Sequence, residues 1–163
     1  ANAARYGIDP ARIGAAGSSA GGHLAAMLGV AAEGEPAAVQ AVAAIAAPVD
    51  LVSQYDRDPF SPALLLGAGS PADHHERWTR ASPVTHVNSR AAAFLFLHGS
   101  ADELVSHADA VRMADALRAA GVRADFHTAE GGTHDFMLEH PWRWPALRRM
   151  ARFFSETLNH PAR

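Results

Sequence analysis

Short apolar runs alternate with amphipathic stretches along the chain. Residues 1–10 read as the tail of a helix and a turn, and residues 12–17 as a first strand. Residues 21–32 follow as an alanine-rich helix carrying Leu24, Met27 and Leu28. Residues 38–47, AVQAVAAIAA, are almost continuously apolar, the pattern of a strand buried on both faces, and Pro48 stops it. Residues 91–97, AAAFLFL, repeat that pattern. Between them, residues 50–88 carry Pro59, Pro62, Pro71 and Pro83 with Gly67 and Gly69, which predicts irregular chain with one short helix within SPADHHERWTRASP.

The clearest helix signal comes next. Ser106 and Asp109 have capping-box spacing, and Ala110, Met113, Ala114 and Leu117 fall on one helical face. Arg118 suits the negative end of that helix, and Gly121 a left-handed stop. Residues 122–129, VRADFHTA, alternate as a strand does, and EGGTHDFMLEH follows as a loop. A last helix is predicted over residues 145–158, with Pro145 in its first turn and Leu147, Met150, Ala151, Phe154 and Leu158 on its apolar face. The order strand, helix, strand, irregular, strand, helix, strand, helix predicts an α/β fold, a mostly parallel sheet with flanking helices. In such sheets chemistry collects at the carboxyl ends of the strands, which makes the residues just after each strand the candidates.

Composition narrows the classes of chemistry. The chain has 163 residues, enough for one domain over residues 1–163, and 48% of them are hydrophobic against 19% charged. A net charge of -3 gives no electrostatic case for nucleic acid. No apolar run reaches the roughly 18 residues that span a bilayer. There is no cysteine, so disulfides, thiolate metal sites and cysteine nucleophiles are excluded, and the chain suits the cytoplasm or a secreted setting equally. All 14 Lys+Arg residues are arginine, which excludes lysine Schiff-base chemistry and a P-loop lysine. No cofactor and no metal is expected; His74 and His75 are adjacent in a polar stretch, so their side chains diverge.

One stretch carries chemistry. ARIGAAGSSAGGHLAAMLG holds Gly17-Ser18-Ser19-Ala20-Gly21 between a strand and a helix. A sharp strand-to-helix turn strains the serine backbone and lifts its oxygen clear of the sheet, and Gly17 and Gly21 are expected to relieve the crowding on either side. The Ala20 N–H then lies at a helix N-terminus, where unpaired donors face outward and suit a developing oxyanion. A bare Gly/Ser turn with no chemistry is the competing interpretation. Serine needs a base, and the base an orienting group. Asp102 follows the third strand in FLFLHGSADELV, and His134 follows the fourth in AEGGTHDF. Both would reach Ser19 from strand ends, with His134 as base and Asp102 as the acid that fixes its tautomer. Glu103, Asp135 and Asp50 are the rival carboxylates. His98, at a strand end, is expected to be a buried and satisfied histidine; His23, His86, His107, His127, His140 and His160 are expected to be surface or structural residues.

At these residues the chain resembles the C-terminal half of an α/β-hydrolase. The likeness is to carbohydrate acetyl and feruloyl esterases, hormone-sensitive-lipase-like esterases and the prolyl-oligopeptidase catalytic domain. GSSAGGHLA, ASPVTHV, FLFLHGSADELV, ALRAAGV and EGGTHDF match in order and approximate spacing, over nearly the whole chain. The resemblance implies Ser19 as nucleophile, Asp102 as acid, His134 as base and the Ala20 N–H as one oxyanion donor. It also implies upstream strands and a His-Gly-Gly-type loop with a second oxyanion donor, so the chain is expected to be N-terminally truncated. The implied activity is a serine esterase on small-molecule or carbohydrate esters. A prolyl-oligopeptidase-type peptidase and a non-catalytic module that keeps the fold are the alternatives. Residues 50–88 and the loop with Trp142 and Trp144 are expected to shape the substrate pocket.

Overall fold

The structure is a computed structural model and describes residues 2–30, 38–67 and 69–159. Among the described residues four strands, β1 (Gly14–Ser18), β2 (Ala41–Ile45), β3 (Ala93–Gly99) and β4 (Ala124–Ala129), pair in chain order, all parallel. The helices are α1 (Ala3–Tyr6), α2 (Ala20–Gly29), α3 (Leu51–Gln54), α4 (Phe60–Leu66), α5 (His75–Arg80), α6 (His107–Ala119) and α7 (Arg143–Asn159). This is the expected α/β architecture. The predicted helix over residues 21–32 ends at Gly29 as described, and residues 31 and 32 lie outside the described residues.

Strand alternation sorts the core into two layers. Val42, Ala44, Phe94, Phe96 and Ala124 face α2 and α6, where they meet Ala25, Ala26, Met113 and Leu117. Ala41, Ile45, Leu95 and Leu97 face the other way, onto Phe136 and the Ala146 and Phe153 side chains of α7. Every residue of β2 is buried, as its unbroken apolar run requires. On α6 all four residues of the predicted face are buried, and Ser106 Oγ accepts the Asp109 N–H at 3.2 Å.

Two expectations change. The buried stripe of α7 runs through Ala146 and Phe153, with Met150, Phe154 and Leu158 packed beside them, while Leu147 and Ala151 face solvent. The helix is turned so that two adjacent phenylalanines reach the sheet. Residues 50–88 are also more regular than expected, with three helices and a 3-10 turn at Pro83–His86 among the described residues in place of one short helix. Asp50 Oδ1 accepts the Ser53 N–H at 3.1 Å and Asp58 Oδ1 the Ser61 N–H at 3.1 Å, so side chains start α3 and α4 in spite of the prolines. Trp78 is fully buried beneath this segment, edge-on to Tyr55 at 5.2 Å, with its Nε1–H donated to the Gly69 carbonyl. The Ser82 hydroxyl ties the segment together, accepting from Leu51 N and donating to the Trp78 carbonyl, each at 2.9 Å.

Candidate active site

Ser19 stands between β1 and α2 with φ 54 and ψ -124, a conformation that L residues rarely adopt. Its neighbours hold it there. Its N–H donates to the Ile45 carbonyl at 2.9 Å, and its carbonyl accepts from His23 N at 3.0 Å, so the chain turns from sheet to helix without slack. A Cβ at Gly17 would strike the Gly21 carbonyl, so α2 rests directly on β1 there. Gly21 differs from the expectation: among the described residues a Cβ there meets nothing within 4 Å. The second crowded glycine is Gly22, whose Cβ would lie 2.8 Å from the Ala47 Cβ and 2.9 Å from the Gly17 carbonyl. Ala20 begins α2, and its N–H is among the first-turn donors that have no intrahelical acceptor.

The turns after β3 and β4 are stapled to each other. Ala101 N donates to the Gly132 carbonyl at 2.9 Å, and Gly131 N donates to Ser100 Oγ at 2.8 Å. Gly99 permits this approach, since a Cβ there would strike the backbone of Gly132 and Thr133. The outcome is a fixed relation between Asp102 on one turn and His134 on the other. His134 Nδ1–H donates to Asp102 Oδ2 at 2.9 Å, and Ser19 Oγ–H donates to His134 Nε2 at 2.9 Å. A carboxylate only accepts, which assigns the imidazole proton to Nδ1 and leaves Nε2 as the acceptor facing Ser19.

The Asp102 side chain is fully buried, yet four N–H groups surround it. Oδ1 accepts from Leu104 N at 3.0 Å and Val105 N at 2.9 Å; Oδ2 accepts from His134 and also from His98 Nε2–H at 3.1 Å. Burial pushes its carboxyl up, but the hydrogen bonds from His98, from the Val105 backbone and from His134 outweigh burial and hold it well below the usual carboxylate range. The rivals stand elsewhere. Glu103 and Asp135 are exposed, and Asp50 caps α3 and meets Arg112 at 3.3 Å.

A cavity of about 600 Å³ opens beside Ser19 and His134. Its wall is largely apolar, with Leu24, Pro48, Leu51, Pro59, Pro62 and Leu65 among its residues. The segment after β2 thus does line the pocket. Trp142 does not; it packs on the layer under α7, and Trp144 is exposed. Two further residues line the cavity, Gln54, which the sequence did not single out, and His23. Gln54 is buried and donates Nε2–H to the Leu104 carbonyl at 2.8 Å, bracing the Asp102 turn against α3. His23, expected to be surface or structural, is buried on the cavity wall and bonds through Nδ1 to the Pro48 carbonyl at 3.0 Å. Its position four residues after Ser19, one helical turn on, was the available signal. His160 lies outside the described residues.

Comparison with known proteins finds esterases among the chains similar to this one. The family model described as BD-FAE matches residues 1–117. Esterase LipQ of Mycobacterium tuberculosis is 34% identical over 133 residues, which are 74% of this chain and 31% of LipQ. The chain therefore spans about a third of the length of that relative. Among solved structures, a truncated form of a carbohydrate esterase from gut microbiota superposes with a TM-score of 0.82 at 28% identity, over 97% of this chain and 64% of that one. Pyrococcus horikoshii acylaminoacyl peptidase shares the fold, with a TM-score of 0.81 at 16% identity over 99% of this chain and 26% of that one.

Proposed function

This chain belongs to the BD-FAE family, and on that basis we propose that residues 1–163 form one α/β-hydrolase domain that cleaves carboxylic esters through an acyl-enzyme on Ser19. One observation carries the proposal. A serine hydroxyl held at positive φ beside an apolar cavity meets an imidazole at 2.9 Å, and the other imidazole nitrogen meets a buried carboxylate at 2.9 Å. Those are the distances at which a proton passes from nucleophile to base.

In the proposed cycle Ser19 Oγ attacks the ester carbonyl carbon while its proton moves to His134 Nε2. Asp102 stabilises the imidazolium and holds its tautomer. The carbonyl oxygen becomes an oxyanion, and the Ala20 N–H donates to it at the positive end of α2. Collapse expels the alkoxide, which takes the proton from His134. Water then attacks the acyl-enzyme with His134 as base again, releasing the acid and restoring the Ser19 hydroxyl. Acyl esters of carbohydrates are our proposed substrates, on the analogy of the gut carbohydrate esterase. The Leu24, Leu51 and Leu65 surfaces would take the acyl chain, and Arg57, Asp58 and Ser61 offer polar contacts to a hydroxylated alcohol.

A fluorophosphonate probe tests the assignment, because Ser19 Oγ would displace fluoride and keep the phosphonyl group. Peptide mapping is expected to find the adduct on Ser19. Ser19→Ala is expected to abolish labelling and to lower ester turnover by on the order of 10⁴- to 10⁶-fold. Labelling that persists in Ser19→Ala, or maps to another serine, would overturn the proposal.

A further inference from the structure

We propose that His98 is a positioning residue for the His134 base and acts on it through Asp102. This rests on the catalytic roles proposed above. The geometry is unusual in one respect: a single carboxylate oxygen serves two histidines. Asp102 Oδ2 accepts from His134 Nδ1–H at 2.9 Å and from His98 Nε2–H at 3.1 Å. The same His98 N–H also donates to the Val105 carbonyl at 3.3 Å, so it is shared between the two acceptors. Both neighbours are acceptors, so this nitrogen carries the proton. The ring is buried, lies at the end of β3, and contacts the His107 ring at 5.5 Å.

Two consequences follow from that shared oxygen. The His98 donor, with the Leu104 and Val105 N–H groups on Oδ1, fixes the carboxylate plane, so Oδ2 stays aimed at Nδ1 of His134. It also draws charge from Oδ2. With that donor removed, the oxygen would concentrate its charge on His134 and favour the imidazolium. The base would then stay protonated to higher pH, and the acid limb of the rate profile would move upward. The ionisable groups around this network are Asp102 on the turn after β3, His107 on α6, and Glu130 and His134 after β4. His107 itself is held below its ordinary value, chiefly by burial and then by the His98 charge.

The test compares His98→Leu, which removes the donor, with His98→Gln, whose side-chain amide reaches about as far as Nε2. In the full chain, the downfield Nδ1 proton resonance of His134 is expected to move further downfield in H98L and to return toward the wild-type position in H98Q. In kcat/KM profiles with a nitrophenyl ester, the acid limb is expected to move up by about half a pH unit or more in H98L and to be restored in H98Q. An unmoved resonance in folded H98L, or H98Q displaced as far as H98L, would overturn the proposal. Should H98L not fold, H98N replaces it, since its shorter amide cannot reach Asp102. The resonance is read without turnover. A chain that hydrolyses no ester but shows the expected shifts sinks the catalytic assignment and leaves the His98–Asp102 coupling standing.

Discussion

Gly17 and Gly21 look equivalent in the sequence, each two positions from Ser19, but they do different work. A Gly17 side chain would collide with the Gly21 carbonyl, whereas a Gly21 side chain meets nothing within 4 Å among the described residues. Gly17→Ala is therefore expected to cost about 3 kcal/mol or to block folding, because backbone rather than a pliable side chain must move. Gly21→Ala is expected to be neutral or to gain up to about 1 kcal/mol, as alanine replaces glycine within a helix. Urea denaturation of the two variants checks this, and equal stabilities would contradict the crowding at Gly17. The spacing reveals that a turn is present, but the rotation of α2 decides which glycine touches backbone. The same division holds at the site. Ser19, Asp102 and His134 were legible as candidates because each follows a strand whose apolar run announces it. His98 was not legible as a partner of Asp102. Its ring reaches the carboxylate because the turn after Gly99 folds back, with Asp102 N on the Gly99 carbonyl at 3.3 Å, and nothing in a strand's alternation encodes that.

Helix α6 illustrates what periodicity can carry. Its cap, its buried face and its stop at Gly121, where φ is 80, were all written in local residue types. Ser106 is buried at the junction between the Asp102 turn and this helix, and its hydroxyl satisfies the Asp109 N–H. Ser106→Ala is expected to lower stability by about 1 kcal/mol, read from the shift in thermal or urea midpoint, and Ser106→Asp to recover most of it. An unchanged midpoint in the alanine variant would mean that the cap contributes nothing. Residues 50–88 were less legible because proline and glycine density suggested irregular chain. What holds α3, α4 and α5 is specific: carboxylate caps at Asp50 and Asp58, and a buried Trp78 with Ser82 beside it. An Asp three residues before a Ser is a weak signal until a tertiary partner stabilises the short helix it starts. The face of α7 shows a related limit. Phe153 and Phe154 are adjacent, so periodicity alone leaves open which one lies at the centre of the buried stripe.

The parallel sheet gathers one end of every strand onto a single rim, and that concentrates buried polar groups there. His23, His98 and Asp102 are all buried near it. The ionisation of His23 and of Asp102 ties the stability of the fold to pH. Burial lowers the His23 value, and the Pro48 carbonyl only partly offsets it. The unfolded chain, with an ordinary value near 6.5, therefore binds a proton that the folded chain resists. The stability from neutral His23 is present above that value and is lost as pH falls below it. His107 and His127 are lowered too, with burial again the largest cause, and they act in the same direction. Asp102 is also lowered, so its contribution is present above the ordinary carboxylate range and is lost only as pH falls through and beneath it. Acid unfolding is thus expected in two stages, a first decline below about pH 6.5 from the histidines and a steeper one below about pH 4 from Asp102. His23→Asn separates them. Its amide can still donate to the Pro48 carbonyl but cannot titrate, so urea midpoints should fall less steeply between about pH 7 and 5, with His107 and His127 supplying the remaining slope, while the lower stage stays. If H23N loses stability across the upper range as steeply as the wild type, His23 is not the group whose protonation opens the fold, and the coupling must lie with the other histidines.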